Sequence, residues 1–192
     1  MYPGYSVHQP SEPSGSATAV IYKRAAFGRH AVEHLDLAGI PFDSRVHGAA
    51  GVFVKPAGLV FLSVHLLDRS PGKVAALESL GRALEEAVVA LQAGSQVDYT
   101  VKRVVVAMDS NEYTGAELCG MQVRLLGHQL RAAGPWRKTC AEGSNFEGVG
   151  DIIFDSSAER TVSCDVPPLP NGCTAMTDHL PVVVDTTVDF SA

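Results

Sequence analysis

The chain of 192 residues is most informative first for what it lacks. It has no apolar run near the roughly 20 residues a membrane-crossing helix needs; the stretch around Val182 to Val184 is far too short. Its opening, MYPGYSVHQPSEPSG, has neither the basic nor the apolar region of a secretion signal. Both absences lead us to expect no membrane span and an intracellular protein. Cysteine is sparse: Cys119, Cys140, Cys164 and Cys173 are far apart and form no CxxC pair. That argues against a zinc knuckle and for reduced thiols in an intracellular compartment. Positive charge is also short, with 15 Lys and Arg against 21 Asp and Glu and a net charge of −6. A general basic coat for gripping nucleic acid is therefore excluded, although a local positive site or a metal can still hold phosphate. Neither GxGxxG nor GxxxxGK[ST] occurs, so nothing supports a nucleotide-binding turn. Internal repeats and heptads are missing too.

What is present suits one domain with a substantial core: 46% of residues are hydrophobic and 19% charged. Residues 1–16, rich in Pro, Ser and Gly, are expected to form an irregular lead-in, with the folded domain over 17–190. ATAVIYK, Ala17 to Lys23, reads as a strand from its β-branched and aromatic content. Val52 to Val54, a turn through Lys55-Pro56-Ala57-Gly58, and Leu59 to Val64 read as a hairpin. A helix follows, with Ser70 as cap, Pro71 in its first turn and Gly94 at its end. Leu77, Leu80, Leu84, Val88 and Leu91 share one face of it. A capping box at Thr114 and Glu117 predicts a second helix, with Leu118, Met121 and Leu125 inward, Leu130 a further candidate, and an end before Gly134. DIIFDSS and LPVVVDTTV supply two more strands. Two helices among several strands point to an α+β or layered αββα fold.

Four strands meet polar residues at an end. Leu59 to Val64 runs into His65, and Val104 to Met108 runs into Asp109 and Asn111. Asp151 stands just before Ile152-Ile153-Phe154, and Asp178 with His179 stands just before Leu180-Pro181-Val182. Singly, each is ordinary: Asp-x-Asn after a strand is a common turn, and an isolated histidine there is usually satisfied or exposed. Jointly they call for one explanation, provided the strand ends share a rim.

In these four segments the sequence resembles the endonuclease/exonuclease/phosphatase superfamily, the group of deoxyribonuclease I and exonuclease-III-like repair enzymes. VVVAMDSNE is similar to its strand-plus-GDxN signature, FLSVHLLD to its strand ending in His-Leu, GVGDIIFDSS to its Ile-Asp-Tyr-Ile-Phe segment, and MTDHLPVVVDTTV to its Ser-Asp-His-Leu-Pro-Val strand. Within the superfamily, NFEGVGDIIFDSS and GYSVHQPSEPSGSATAVIYKRAAF look like the carbon-catabolite-repressor and nocturnin-type deadenylase branch.

The resemblance implies a four-layer αββα sandwich and hydrolysis of phosphate esters with a divalent cation, Mg²⁺ or Mn²⁺. Magnesium asks for a few hard oxygen ligands and keeps its waters, which suits scattered carboxylates. Carried over, Asp109 would orient the attacking water or touch the metal, and Asp178 would bind metal. Asn111 and His65 would contact phosphate. His179 would meet the scissile group, with Asp151 holding its imidazole. The substrate would be nucleic acid (an RNA 3′ tail or DNA) or another phosphate ester.

There are departures from the family pattern. Met108 stands where the family has Gly, Ser110 where it has Phe, Tyr or Leu, Ile152 where it has Tyr, Gly150 where it has an apolar residue, and Thr177 where it has Ser. Family members also begin with strands bearing an Asn and a metal-binding Glu. Here Glu12 lies in a Ser/Pro stretch and Glu33 in RHAVEHLDL, neither in the needed strand-end setting. The chain thus reads as the C-terminal two-thirds of such a domain. The alternative is a catalytically inactive scaffold or binding module of the same fold, completed by a second chain that supplies the missing strands.

Overall fold

A computed structural model describes residues 3–9, 18–27, 32–37, 46–66, 73–93, 99–111, 123–134, 139, 150–167 and 182–187. In chain order the elements are β1 (Tyr5–His8), β2 (Val20–Lys23), α1 (Arg24–Phe27), β3 (Val32–Leu35), β4 (Val46–Val54), β5 (Leu59–Leu66) and α2 (Lys73–Gln92). Then come β6 (Arg103–Asp109), β7 (Val123–Leu125), β8 (His128–Gly134), β9 (Asp151–Asp155), β10 (Thr161–Asp165) and β11 (Val183–Thr186). Seven strands form one sheet in the order β3-β4-β5-β6-β9-β8-β7, while β1-β2 and β10-β11 are separate two-stranded ribbons.

The expected hairpin is there, as β4 and β5. Gly58 closes it in the left-handed region at φ 56°, donating its N–H to the Lys55 carbonyl at 3.1 Å. The Gly58 carbonyl then accepts the amides of Lys102 and Arg103, so this turn also fixes where β6 begins. A Cβ at position 58 would lie 2.7 Å from the Thr100 carbonyl oxygen, so only glycine fits.

The expected first helix is α2; its caps at 70, 71 and 94 fall outside the described residues. Leu77, Leu80, Leu84 and Val88 are buried and Leu91 partly so, while Glu78, Arg82, Glu85 and Glu86 are not. That face packs on alternate residues of the central strands: Leu62, Val64 and Leu66 of β5, Val104, Val106 and Met108 of β6, and Ile152 and Phe154 of β9. Each fully buried leucine contributes roughly 1.5–3 kcal/mol. With one face committed to α2, period-2 alternation sends Ser63, His65, Ala107, Asp109, Asp151 and Ile153 to the other face.

The reading of 114–134 as helix is corrected. Residues 112–122, including Thr114, Leu118 and Met121, lie outside the described residues, but 123–134 form the hairpin β7-β8. Leu126 and Gly127 have φ 51° and 76°, the paired left-handed conformation of a two-residue hairpin turn, and no helix passes through it. Leu125 and Leu130 are buried as expected, but from strands. The lead-in 1–16 is not irregular throughout either, since Tyr5–His8 pairs antiparallel with β2. RHAVEHLDL contains β3, where Glu33 is paired with Lys55 at 2.6 Å. Cys164 lies in β10, half-buried; the other three cysteines lie outside the described residues.

Candidate functional site

The geometry of the site follows from strand register. In the parallel pair β5-β6, His65 stands opposite Asp109; in the antiparallel pair β6-β9, Asp109 stands opposite Asp151. An imidazole and two carboxylates therefore form one cross-strand row on three adjacent strands, on the face away from α2. His65 Nε2 lies 3.6 Å from Asp109 Oδ2, and both side chains are mostly buried. The row borders a cavity of about 430 Å³, also lined by Ser63, Ala107, Ile153, Thr18 and Val182.

The strand ends are fastened from behind. Asn111, at φ 50°, donates its backbone N–H to Asp109 Oδ1 at 3.1 Å, and its Nδ2 donates to the Leu66 carbonyl at 2.7 Å. Asn111 therefore ties the end of β5 to the end of β6 and holds the Asp109 carboxylate in one rotamer. Ser110, fully buried, donates both its N–H and its hydroxyl to the Gly150 carbonyl at 2.8 Å. Thr139 Oγ1 accepts the amides of Gly150 and Asp151 at 3.0 and 3.1 Å. These bonds set the first residue of β9 and hence Asp151. Met108, despite replacing a family glycine, keeps regular register between Val64 and Ile152.

Of the sequence-predicted residues, His65, Asp109, Asn111 and Asp151 are brought together; Asp178 and His179 lie outside the described residues. Val182, three positions after His179, lines the cavity. Sequence reasoning missed Thr139 and the bonding role of Ser110, for which a lone hydroxyl gives no periodic or motif signal. It also missed the buried pair behind the site. Arg103 Nε donates to Asp155 Oδ1 at 2.9 Å and Nη2 to Oδ2, while Nη1 and Nη2 reach the Thr187 carbonyl and Thr186 Oγ1, each at 2.6 Å. This network joins β6 and β9 to β11, the strand that follows Asp178 and His179. The abrupt Asp-Arg spacing across strands has no sequence signature, because the partners are 52 residues apart.

Among the described residues no group of three or more His, Cys, Asp or Glu is placed to hold a metal unaided. The donor chemistry nevertheless fits a hard cation. Asp109 and Asp151 are like charges directly opposite on one sheet face, which is a repulsive arrangement that a cation between them would relieve. No helix among the described residues is long and apolar enough to cross a membrane.

No protein-family model and no curated protein matches the sequence. Solved structures do. An endonuclease/exonuclease/phosphatase family protein from Bacteroides thetaiotaomicron is 17% identical with a TM-score of 0.52, over 95% of this chain and 73% of that one. A 3′ phosphatase from Neisseria, bound to a product DNA hairpin, is 14% identical with a TM-score of 0.53, over 96% and 80%. The human nocturnin catalytic domain is 15% identical with a TM-score of 0.51, over 97% and 73%. The near-equal scores do not single out the deadenylase branch. The seven-stranded sheet, the helix on one face and the ribbons on the other give this chain a deoxyribonuclease-I-like α+β fold, the fold of these solved structures.

Proposed function

We propose that the chain is a divalent-metal-dependent phosphoesterase that hydrolyses a phosphodiester bond in nucleic acid, an RNA 3′ tail or DNA. The observation that carries the reading is the His65–Asp109–Asp151 row at the mouth of one cavity. Structures of this fold include a 3′ phosphatase bound to a product DNA hairpin, which supports phosphate-ester chemistry and nucleic acid as substrate, and the nocturnin catalytic domain with a bound sulfate anion.

Phosphoryl transfer needs an oriented water, neutralised non-bridging oxygens and a proton path. Asp109, held by Asn111, is the acceptor for the proton of the attacking water and a metal ligand; Asp178 is the second metal ligand. Mg²⁺ or Mn²⁺, when bound, supplies positive charge to the phosphate oxygens. His65 donates a hydrogen bond to phosphate. Asn111, fixed at the end of β6 by its bond to the Leu66 carbonyl, contacts a phosphate oxygen. His179 meets the scissile group with Asp151 orienting its ring.

The test is turnover of a 3′-tailed RNA and a DNA oligonucleotide with Mg²⁺, Mn²⁺ or EDTA. Asp109→Asn keeps the acceptor for the Asn111 amide but removes the charge, so it should lower turnover by about 10²- to 10⁴-fold. Cleavage that is indifferent to EDTA, or undiminished in the variant, refutes the reading. No cleavage by the wild type favours the inactive binding-module alternative.

A further inference from the structure

The cavity at the His65–Asp109–Asp151 row has one feature that the phosphoesterase reading does not use. Thr18, just before β2, is only 8% exposed and lines this cavity. Its hydroxyl oxygen is buried and, alone among the buried side-chain polar atoms of the described residues, has no hydrogen-bond partner. The other buried polar side chains are satisfied: Arg103 and Asp155 by each other, Ser110 by the Gly150 carbonyl, and Thr139 by the amides of Gly150 and Asp151. An unpaired buried hydroxyl is destabilising, and one that persists asks for a ligand to satisfy it.

The chemistry around it says which kind. Asp109 and Asp151, as carboxylates, only accept hydrogen bonds and repel an anion. A phosphate seated at the row therefore needs donors from elsewhere, and His65 is one. Thr18 is carried by the β1-β2 ribbon rather than by the central sheet, so it offers a donor from a different element. Rotation about χ1 between staggered wells carries the hydroxyl to another of the three positions on Cβ without moving the backbone.

We propose that Thr18 is a ligand-contacting residue whose hydroxyl donates to a non-bridging oxygen of the phosphate bound at the His65–Asp109–Asp151 row. This rests on the phosphoesterase reading above. The ribbon thereby supplies part of the substrate site, and the hydroxyl is left unpaired in the free protein because its partner is the ligand.

The experiment uses inorganic phosphate in MgCl₂ as the probe, with binding measured by calorimetry and the melting temperature of the ligand-free protein by circular dichroism. Thr18→Val preserves shape and removes the donor. It should weaken phosphate binding about tenfold or more, as expected for a lost hydrogen bond to a charged group, while the ligand-free melting temperature stays level or rises. Thr18→Ser restores the hydroxyl and should bind within about threefold of wild type. Equal binding by wild type and Thr18→Val overturns the inference but leaves the phosphate site standing. A fall in melting temperature in Thr18→Val, with binding lost equally in Thr18→Ser, makes the residue structural and also overturns it. Wild-type protein that binds no phosphate removes the site itself, and the inference with it.

Discussion

Asp155→Ala should be among the most damaging single substitutions in the protein. Asp155 is 1% exposed and Arg103 is 4% exposed, and they form a two-point ion pair in which Asp155 Oδ1 also accepts the Ser157 amide at 2.8 Å. Removing the carboxylate leaves a guanidinium in a site with almost no water. Its bonds to the Thr187 carbonyl and Thr186 hydroxyl satisfy hydrogens but do not neutralise the charge. Breaking one side of such a pair costs about 3–5 kcal/mol. Against a total stability of about 5–15 kcal/mol, that is a large share. The double variant Arg103→Met with Asp155→Leu should recover much of the loss, because it removes the stranded charge and fills the volume. It should not keep the tie to β11, which Arg103 makes, so β11 amides should exchange faster in the double variant than in the wild type. Urea unfolding followed by circular dichroism gives the free energies, provided the slope against denaturant is unchanged. A loss under about 1 kcal/mol in Asp155→Ala, or a double variant as unstable as the single, would refute the account of a desolvated pair.

Two further predictions concern the frame. His8 sits with its ring 4.3 Å from that of His34 and donates Nε2–H to the Leu35 carbonyl at 3.3 Å, and Tyr22 and Asp36 are close by. Desolvation, and then the charge of His34, hold its pKa below the ordinary 6.5, partly opposed by the Leu35 carbonyl and Asp36. The unfolded chain therefore takes up this proton first as pH falls, so stability is full above 6.5 and declines below it. In His8→Gln the drop in urea midpoint between pH 7.5 and 5 should shrink, whereas parallel curves would dismiss the His8 contribution. Gly58→Ala places a side chain at φ 56° and a Cβ against the Thr100 carbonyl. It should cost at least about 1–2 kcal/mol of unfolding free energy, and an unchanged midpoint would contradict the turn's role.

Legibility from sequence varied with the range of the interaction responsible. The β4-β5 hairpin, α2 and β6 were readable because alternation, 3.6-residue periodicity and turn chemistry are local. The capping box at Thr114 and Glu117 is also local, but it says nothing of how far a helix runs. At Leu126-Gly127 the turn preference of glycine outweighs the helical spacing of Leu125 and Leu130. In β1 and β3, short strands with exposed and half-buried residues carry too little alternation to be seen. The site divides in the same way. His65, Asp109, Asn111 and Asp151 are marked by their strand-end positions, whereas Thr18 and Thr139 matter only through burial, which depends on the whole chain.

The cross-strand row has a kinetic side. Ser110 meets Gly150 across 40 residues of chain, and Asn111 meets Leu66 across 45. Closing loops of that length is slow compared with forming a hairpin, and a parallel pair such as β5-β6 must wait for its crossover. The nascent β4-β5 turn and α2 can organise early, but the three acid-base groups meet only when β6 and β9 both dock. The row is thereby absent from every form in which β6 or β9 is undocked, and the arrival of the last central strand completes it.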